Sequence, residues 1–471
     1  MLAPNALAVI PEARPGDYIV RNFQFKDGQA LPEVRMHYIT LGSPARDQNG
    51  RVTNAVLILH GTGGSSKQFL EERFAGVLFN PGQLLDVTKY YVIIPDNVGH
   101  GKSSRPSDGL RMHFPHYDYD DMVALQHALL DGIGVNHLRL IFGTSMGCMH
   151  AWVWGETYPE MMDALMPMAC APTQIAGRNR MWRKAAMDGI RRDPAWENGE
   201  YKSQPASLIT SENFLQLMGS NALERQKQGP TRDQADLYME TQLNKVLPEL
   251  DANDFLYFVD ASRNYNPEPD LEKITAPVMF VNSADDAINP PELGIAERLI
   301  QRVKRGRFIL LPYTAETHGH GSHTWAALWQ QYLEELLKES GGLAPGTGRA
   351  VTNAEGLVNT GPVMPPPLPP GTANPVAYTI GPGITPPQKI SGSQPEYTES
   401  ARKRKITGTV RLAIIVGTDG TVRVVQVINS LEPSLDQSAV ETIRTWRFRP
   451  GARDGQPVPV RVQVEVSFSL K

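Results

Sequence analysis

Between Tyr18 and about Ser340, short β-branched runs alternate with stretches of helical period, and this alternation predicts a mostly parallel sheet flanked by helices. The expected strands are 55–60, 90–95, 138–143, 165–169, 278–282 and 307–311. Several carry apolar residues on both faces, as buried central strands do. Between Thr173 and Pro269 the strand signals stop. There Phe214, Leu217 and Met218, then Leu243, Val246 and Leu247, recur at the i, i+3, i+4 spacing of helices with one apolar face. This segment, about 173–270, is expected to form a helical lid over the sheet.

A chain of 471 residues exceeds one ordinary core and predicts two or three domains at about 150 residues each. The first is expected over 15–340. From 341 to 393 the composition shifts to Gly, Pro, Thr and Asn and includes Pro365-Pro366-Pro367-Leu368-Pro369-Pro370, which favours extended polyproline conformation and reads as a linker. A second domain over 394–471 follows. The runs Gly408 to Val416 and Thr421 to Val427 flank the turn Asp419-Gly420, helical spacing covers Leu435 to Trp446, and alternation returns from Val458 to Leu470, giving a small α+β unit in β-β-α-β order.

With 41% hydrophobic and 20% charged residues the chain reads as globular, and its net charge of -4 offers no cationic field for nucleic acid. The run Arg402-Lys403-Arg404-Lys405 reads as a solvated face. Cys148 and Cys170 are the only cysteines, too few for a disulfide framework or a thiolate zinc site. Met1 to Pro15 has no basic start, and no segment reaches the roughly 20 apolar residues of a membrane span.

Chemistry concentrates around Gly143-Thr144-Ser145-Met146-Gly147, where a strand runs through a sharp turn into a helix. A serine hydroxyl is a weak nucleophile at neutral pH and needs a base, an acid to orient that base, and donors for the developing oxyanion. Small residues in a turn are often loop chemistry alone, so the surroundings matter. His60-Gly61-Thr62-Gly63-Gly64 follows a buried strand, and the backbone N–H groups of Thr62 and Met146 are the candidate oxyanion donors. Downstream, Asp286 follows one strand and His320 the next, the chain order Ser, Asp, His. Asp285 competes with Asp286, and His318 and His323 compete with His320. The three histidines also carry a metal-site alternative, against which stands the absence of a nearby Cys or carboxylate cluster in sequence. No metal or other cofactor is expected.

These residues resemble the homoserine O-acetyltransferase branch of the α/β-hydrolase superfamily across most of Tyr18 to Ser340. The resemblance rests on Pro95 to Ser104, Gly143 to Met149, Asp286 to Pro291, Asp193-Pro194-Ala195-Trp196, Asp121-Met122-Val123 and Gly155 to Pro159. It implies an α/β-hydrolase fold, with Ser145 as nucleophile and Asp286 rather than Asp285 as the acid. This chain departs where the transferases carry Arg before Asp-Met-Val and Asp after the catalytic histidine, having Asp120 and Gly321 instead. Arg178, Arg180 and Arg183 in the lid are candidate carboxylate binders that also fit a solvated surface. Residues 394–471 resemble the TonB C-terminal domain family through Pro395-Glu396-Tyr397, the 408–427 hairpin, Trp446 to Pro450 and Asp454 to Val458. That resemblance implies a periplasmic or envelope location and a protein partner bound through exposed strand edges.

Three functions follow. The first is a serine ester hydrolase working through an acyl-Ser145 intermediate on a small acyl ester or acyl-CoA. The second is an O-acyltransferase passing the same acyl group to an alcohol. The third is an envelope binding protein whose hydrolase domain is inactive.

Overall fold

The computed structural model describes residues 12–341 apart from 315, and 378–469 apart from 380–382, 399–400, 403, 430 and 454. Most of the expected linker, 342–377, and residues 1–11 lie outside the described residues. The chain divides into two compact units, Met1–Ala350 and Val351–Lys471.

In the first unit the apolar runs become β3 (Ala55–Leu59), β4 (Tyr91–Pro95), β5 (Leu140–Thr144), β6 (Leu165–Met168), β7 (Val278–Ser283) and β8 (Gly306–Leu311). They pair in parallel in the order β4-β3-β5-β6-β7-β8. Two further strands, β1 (Arg14–Gln24) and β2 (Ala30–Leu41), were not expected; they extend the sheet antiparallel beside β4 and complete its eight strands. Side chains alternate between two cores. Ala55, Leu57, Leu59, Ile141 and Phe280 face one layer, while Val56, Ile58, Phe142, Met279 and Val281 face the other.

The helices around the sheet are α1 (Ala75–Leu78), α2 (Tyr119–Gly132), α3 (Met146–Thr157), α9 (Ile295–Ile300) and α10 (Gln330–Gly341). Helix α2 starts at a reciprocal cap: Asp118 accepts the N–H groups of Asp120 and Asp121, and Asp121 accepts that of Asp118. Between β6 and β7 lies the helical lid, α4 (Gly177–Arg192), α5 (Ser207–Met218), α6 (Ala222–Gln228), α7 (Arg232–Val246) and α8 (Ala252–Asp260). Met187, Ile190, Trp196, Leu208, Phe255 and Phe258 form its own small core. The Trp196 indole N–H donates to Asn253 Oδ1 at 2.9 Å, joining the Asp193–Trp196 segment to α8.

In the second unit Gly408–Val416 pairs antiparallel with both Val422–Asn429 and Val460–Phe468. Helix Pro433–Thr445 places Leu435, Ala439 and Ile443 against Leu412, Ile414 and Phe468. The expected β-β-α-β order is present, with short additional strands around it.

Candidate active site

Strand β5 delivers the chain into a turn too tight for side chains at its flanks. A Cβ on Gly143 would lie 2.0 Å from the carbonyl oxygen of Gly147, and one on Gly147 would lie 2.1 Å from that of Leu59. Ser145, between them, is held at φ 54° and ψ -109°, outside the regions an L-residue ordinarily occupies. Its N–H is fixed by Met168 O at 2.9 Å, and α3 begins at the next residue.

The loop after β7 supplies Asp286 and the loop after β8 supplies His320. His320 Nε2 lies 2.8 Å from Ser145 Oγ and His320 Nδ1 lies 2.9 Å from Asp286 Oδ2, so the three form one hydrogen-bonded row. Asp286 is 1% exposed. Burial pushes its carboxyl up, but the adjacent His320 charge, the His320 hydrogen bond and the donors of Asn289 outweigh burial and hold it below the ordinary range. Its Oδ1 accepts the N–H groups of Ile288 and Asn289 at 2.8 and 3.0 Å. Asn289 also donates to Ala169 O at 3.0 Å, pinning the acid loop beside the turn that carries Ser145.

The competing residues have other work. Asp285 Oδ2 accepts from Gly319 N at 2.9 Å and from the Asn221 amide, so it braces the loop that presents His320. His318 stacks on Trp325 with centroids 3.9 Å apart and pairs with Glu224 at 3.0 Å. His323 sits edge-on to His320, 5.2 Å between centroids, and burial followed by the His320 charge lowers its pKa to about 3. It is therefore neutral. The carboxylate candidates of the lid are engaged: Arg178 donates to Ala287 O, Arg180 pairs with Asp260, and buried Arg183 donates to Asn179, Val259 O and Ser262. Asp120 is at the surface, paired with Lys26.

The His60 loop is fixed from below. Burial lowers the His60 pKa, and the neutral ring accepts Asn97 N–H on Nε2 at 3.1 Å while Nδ1 donates to Gly61 O at 2.9 Å. Gly64 N–H holds the same carbonyl at 3.0 Å. In a planar trans peptide the N–H of Thr62 then points the opposite way. Gly147 N–H donates to His60 O at 2.9 Å, joining this loop to the start of α3, where Met146 N–H has no acceptor within its own helix. Leu215 of α5 and Phe258 of α8 stand over Gly63, each 3.8 Å from where its Cβ would be. Sequence reasoning missed Asn289, Asn97 and the bracing role of Asp285, because single polar residues carry no periodic signal. It also missed a disulfide: Cys148 in α3 is bonded to Cys170 just beyond β6, both buried.

The family model described as alpha/beta hydrolase fold matches residues 54–312. The chain belongs to this family. The model described as Gram-negative bacterial TonB protein C-terminal matches residues 393–470. Among curated proteins, the chain is 29% identical over 308 residues to a homoserine O-acetyltransferase of Methanococcus vannielii, covering 57% of this chain and 61% of that enzyme. It is 28% identical over 326 residues to that of Chlorobaculum parvum, covering 63% of this chain and 87% of the relative. The hydrolase-family chain is thus similar to homoserine O-acetyltransferases while spanning less than two thirds of the first. Similar solved structures are homoserine O-acetyltransferase from Bacillus anthracis, at TM-score 0.61 and 21% identity, and esterase E22, at TM-score 0.62 and 20% identity. The former match covers 69% of this chain and 97% of the other, the latter 69% and 100%. Both share the fold. Among the described residues no helix is long and apolar enough to cross a membrane.

Proposed function

We propose that this hydrolase-family chain is a serine-dependent acyl-transfer enzyme that hands an acyl group from Ser145 to an alcohol acceptor. The observation that carries this reading is the row from Ser145 Oγ through His320 to Asp286, at 2.8 and 2.9 Å. In the first half-reaction His320 Nε2 takes the Ser145 proton as Oγ attacks the acyl carbonyl. The tetrahedral oxyanion is met by the N–H groups of Thr62 and Met146. The bond to the leaving group breaks, His320 returns the proton to it, and acyl-Ser145 remains. In the second half-reaction His320 takes the acceptor hydroxyl proton, the acceptor oxygen attacks the ester, and Ser145 Oγ leaves with that proton. Asp286 fixes the ring and offsets its charge throughout.

The curated homoserine O-acetyltransferase relatives favour an alcohol acceptor over the hydrolase expectation. The departure at Asp120 loses weight as an argument for water because that residue is at the surface. Hydrolysis stands as a second reading, supported by Gly321, which leaves no side chain beside His320. Mixing the full chain with a 4-nitrophenyl ester separates the cases. A burst of nitrophenolate and acceleration by added homoserine or another alcohol, with acylated alcohol as product, is expected. Nitrophenolate release without acceptor effect overturns transfer in favour of hydrolysis, and no release overturns both, leaving the inactive binding protein.

We propose a cell-envelope location with a protein partner on the C-terminal unit. The TonB-type match and the Cys148–Cys170 bond support it, since disulfides persist in oxidising compartments. The strand Val422–Asn429, which ends its sheet, is the proposed partner edge. Fractionation of cells making the full-length gene product tests this; recovery in the cytosolic fraction overturns it.

A further inference from the structure

A cavity of about 400 Å³ opens between the lid and the body of the first unit, and neither Ser145, His320 nor Asp286 lines it. Its floor is buried and apolar, formed by Leu256 and Tyr257 of α8, Ala261 just after it, and the ring of Tyr117. The His116 ring stacks on Tyr257 at 4.9 Å and closes one wall. At the exposed rim stand Lys26, Arg191 and Arg263. A few charged groups around an apolar floor, at this volume, is the layout of a small-molecule site.

The charges of the lining differ in what remains available. Its carboxylates are committed within the chain. Asp118 caps α2, Asp27 accepts the N–H groups of Gln29 and His116, and Asp260 is held by Arg180. Lys26 is paired with Asp120. Arg191, by contrast, makes no hydrogen bond or ion pair among the described residues, and Arg263 reaches Asp260 only at 3.9 Å. The unspent capacity is therefore two guanidinium groups beside an apolar floor. Guanidinium matches the planar fork of a carboxylate.

We propose that this cavity binds a small amphiphilic carboxylate, with its apolar chain on Leu256, Tyr257 and Met112 and its head group on Arg191 and Arg263. The site stands on the cavity and its charges, and does not depend on the acyl-transfer reading. It has a bearing on that reading all the same. Helix α8 presents Tyr257 to this floor and Phe258 to His100 and Gly63, so an occupant rests on the helix that packs against the His60 loop.

The test is calorimetric titration of the full chain with hexanoate at low salt, with hexanol and inorganic phosphate as separate arms. The expected result is saturable hexanoate binding that weakens at least about tenfold in the double variant Arg191→Ala, Arg263→Ala, whose melting temperature matches that of the wild type. Hexanol and phosphate are each expected to bind at least about tenfold more weakly than hexanoate. The proposal is overturned by absence of hexanoate binding, by equal affinity in the double variant, or by phosphate binding as tightly as hexanoate, which would mark a bare rim charge.

Discussion

On the proposed mechanism Ser145→Ala removes the attacking atom, and turnover of an activated ester is expected to fall by on the order of 10^4-fold or more with the melting temperature unchanged. A smaller fall with an intact fold would mean that another nucleophile carries the reaction. Two groups that do not touch Ser145, His323, which is buried, and Glu156, which is half-buried, give opposite pH signatures. His323 is held to about 3, so the unfolded chain takes up a proton on acidification that the native chain refuses, and its contribution to stability is lost as pH falls below about 6.5. Replacing it by Gln should cost stability at pH 7, and that deficit should shrink by about 2 kcal/mol by pH 5. Glu156 behaves inversely. Burial, then the charges of Asp270 and Asp120, raise it to about 8, and its Oε2 has no hydrogen-bond partner among the described residues. Its contribution is present below about pH 4.5 and is lost as pH rises toward 8, so Glu156→Gln should gain on wild type over that range. Urea unfolding at pH 5 and 7 for the first variant, and at pH 5 and 8 for the second, measures both; parallel pH profiles for variant and wild type would refute the assignments.

At the scale of elements, the crossing of β5 and α3 over β3 is decided by absent side chains. Gly147→Ala sets a Cβ against the Leu59 carbonyl, a backbone atom that cannot move aside without displacing a central strand. We expect little soluble folded protein, read by expression yield and circular dichroism, and a native-like yield would show that the crossing is looser than described. Such central elements were legible in the sequence because burial on both faces leaves uninterrupted apolar runs, as in Ala55–Leu59 and the first four residues of β7, Val278 to Val281. The hairpin β1–β2 was not, since β1 is largely exposed and its polar residues read as loop. Its one available signal was Asp27-Gly28, where Gly28 takes φ 88°. In the site, Ser145, Asp286 and His320 were legible from motif and chain order, whereas the pairing of Cys148 with Cys170 depends on how β6 returns beside α3. That return brings their Cα atoms to 5.9 Å, a proximity that 22 residues of separation do not encode.

For the whole molecule, each unit has its own apolar core, and a chain ending at residue 341 is expected to keep the ester turnover of the full chain. Loss of activity on truncation, measured on folded protein, would mean that the second unit completes the first. Closing 22 residues of chain is expected to contribute about 3 kcal/mol. The Cys148→Ala, Cys170→Ala variant should therefore unfold at lower urea than the oxidised wild type, and match the reduced wild type. Equal midpoints for the oxidised and reduced protein would dismiss the bond as a stabiliser. The same bond changes the connectivity of the polymer. Residues 148 to 170 form a covalent ring that includes all but the first two residues of α3, the turn at Glu160 and all of β6, with one tail leaving toward each terminus. A protease that cuts inside the ring opens it without releasing a fragment: the nicked chain runs as one band until a reductant is added, and then as two.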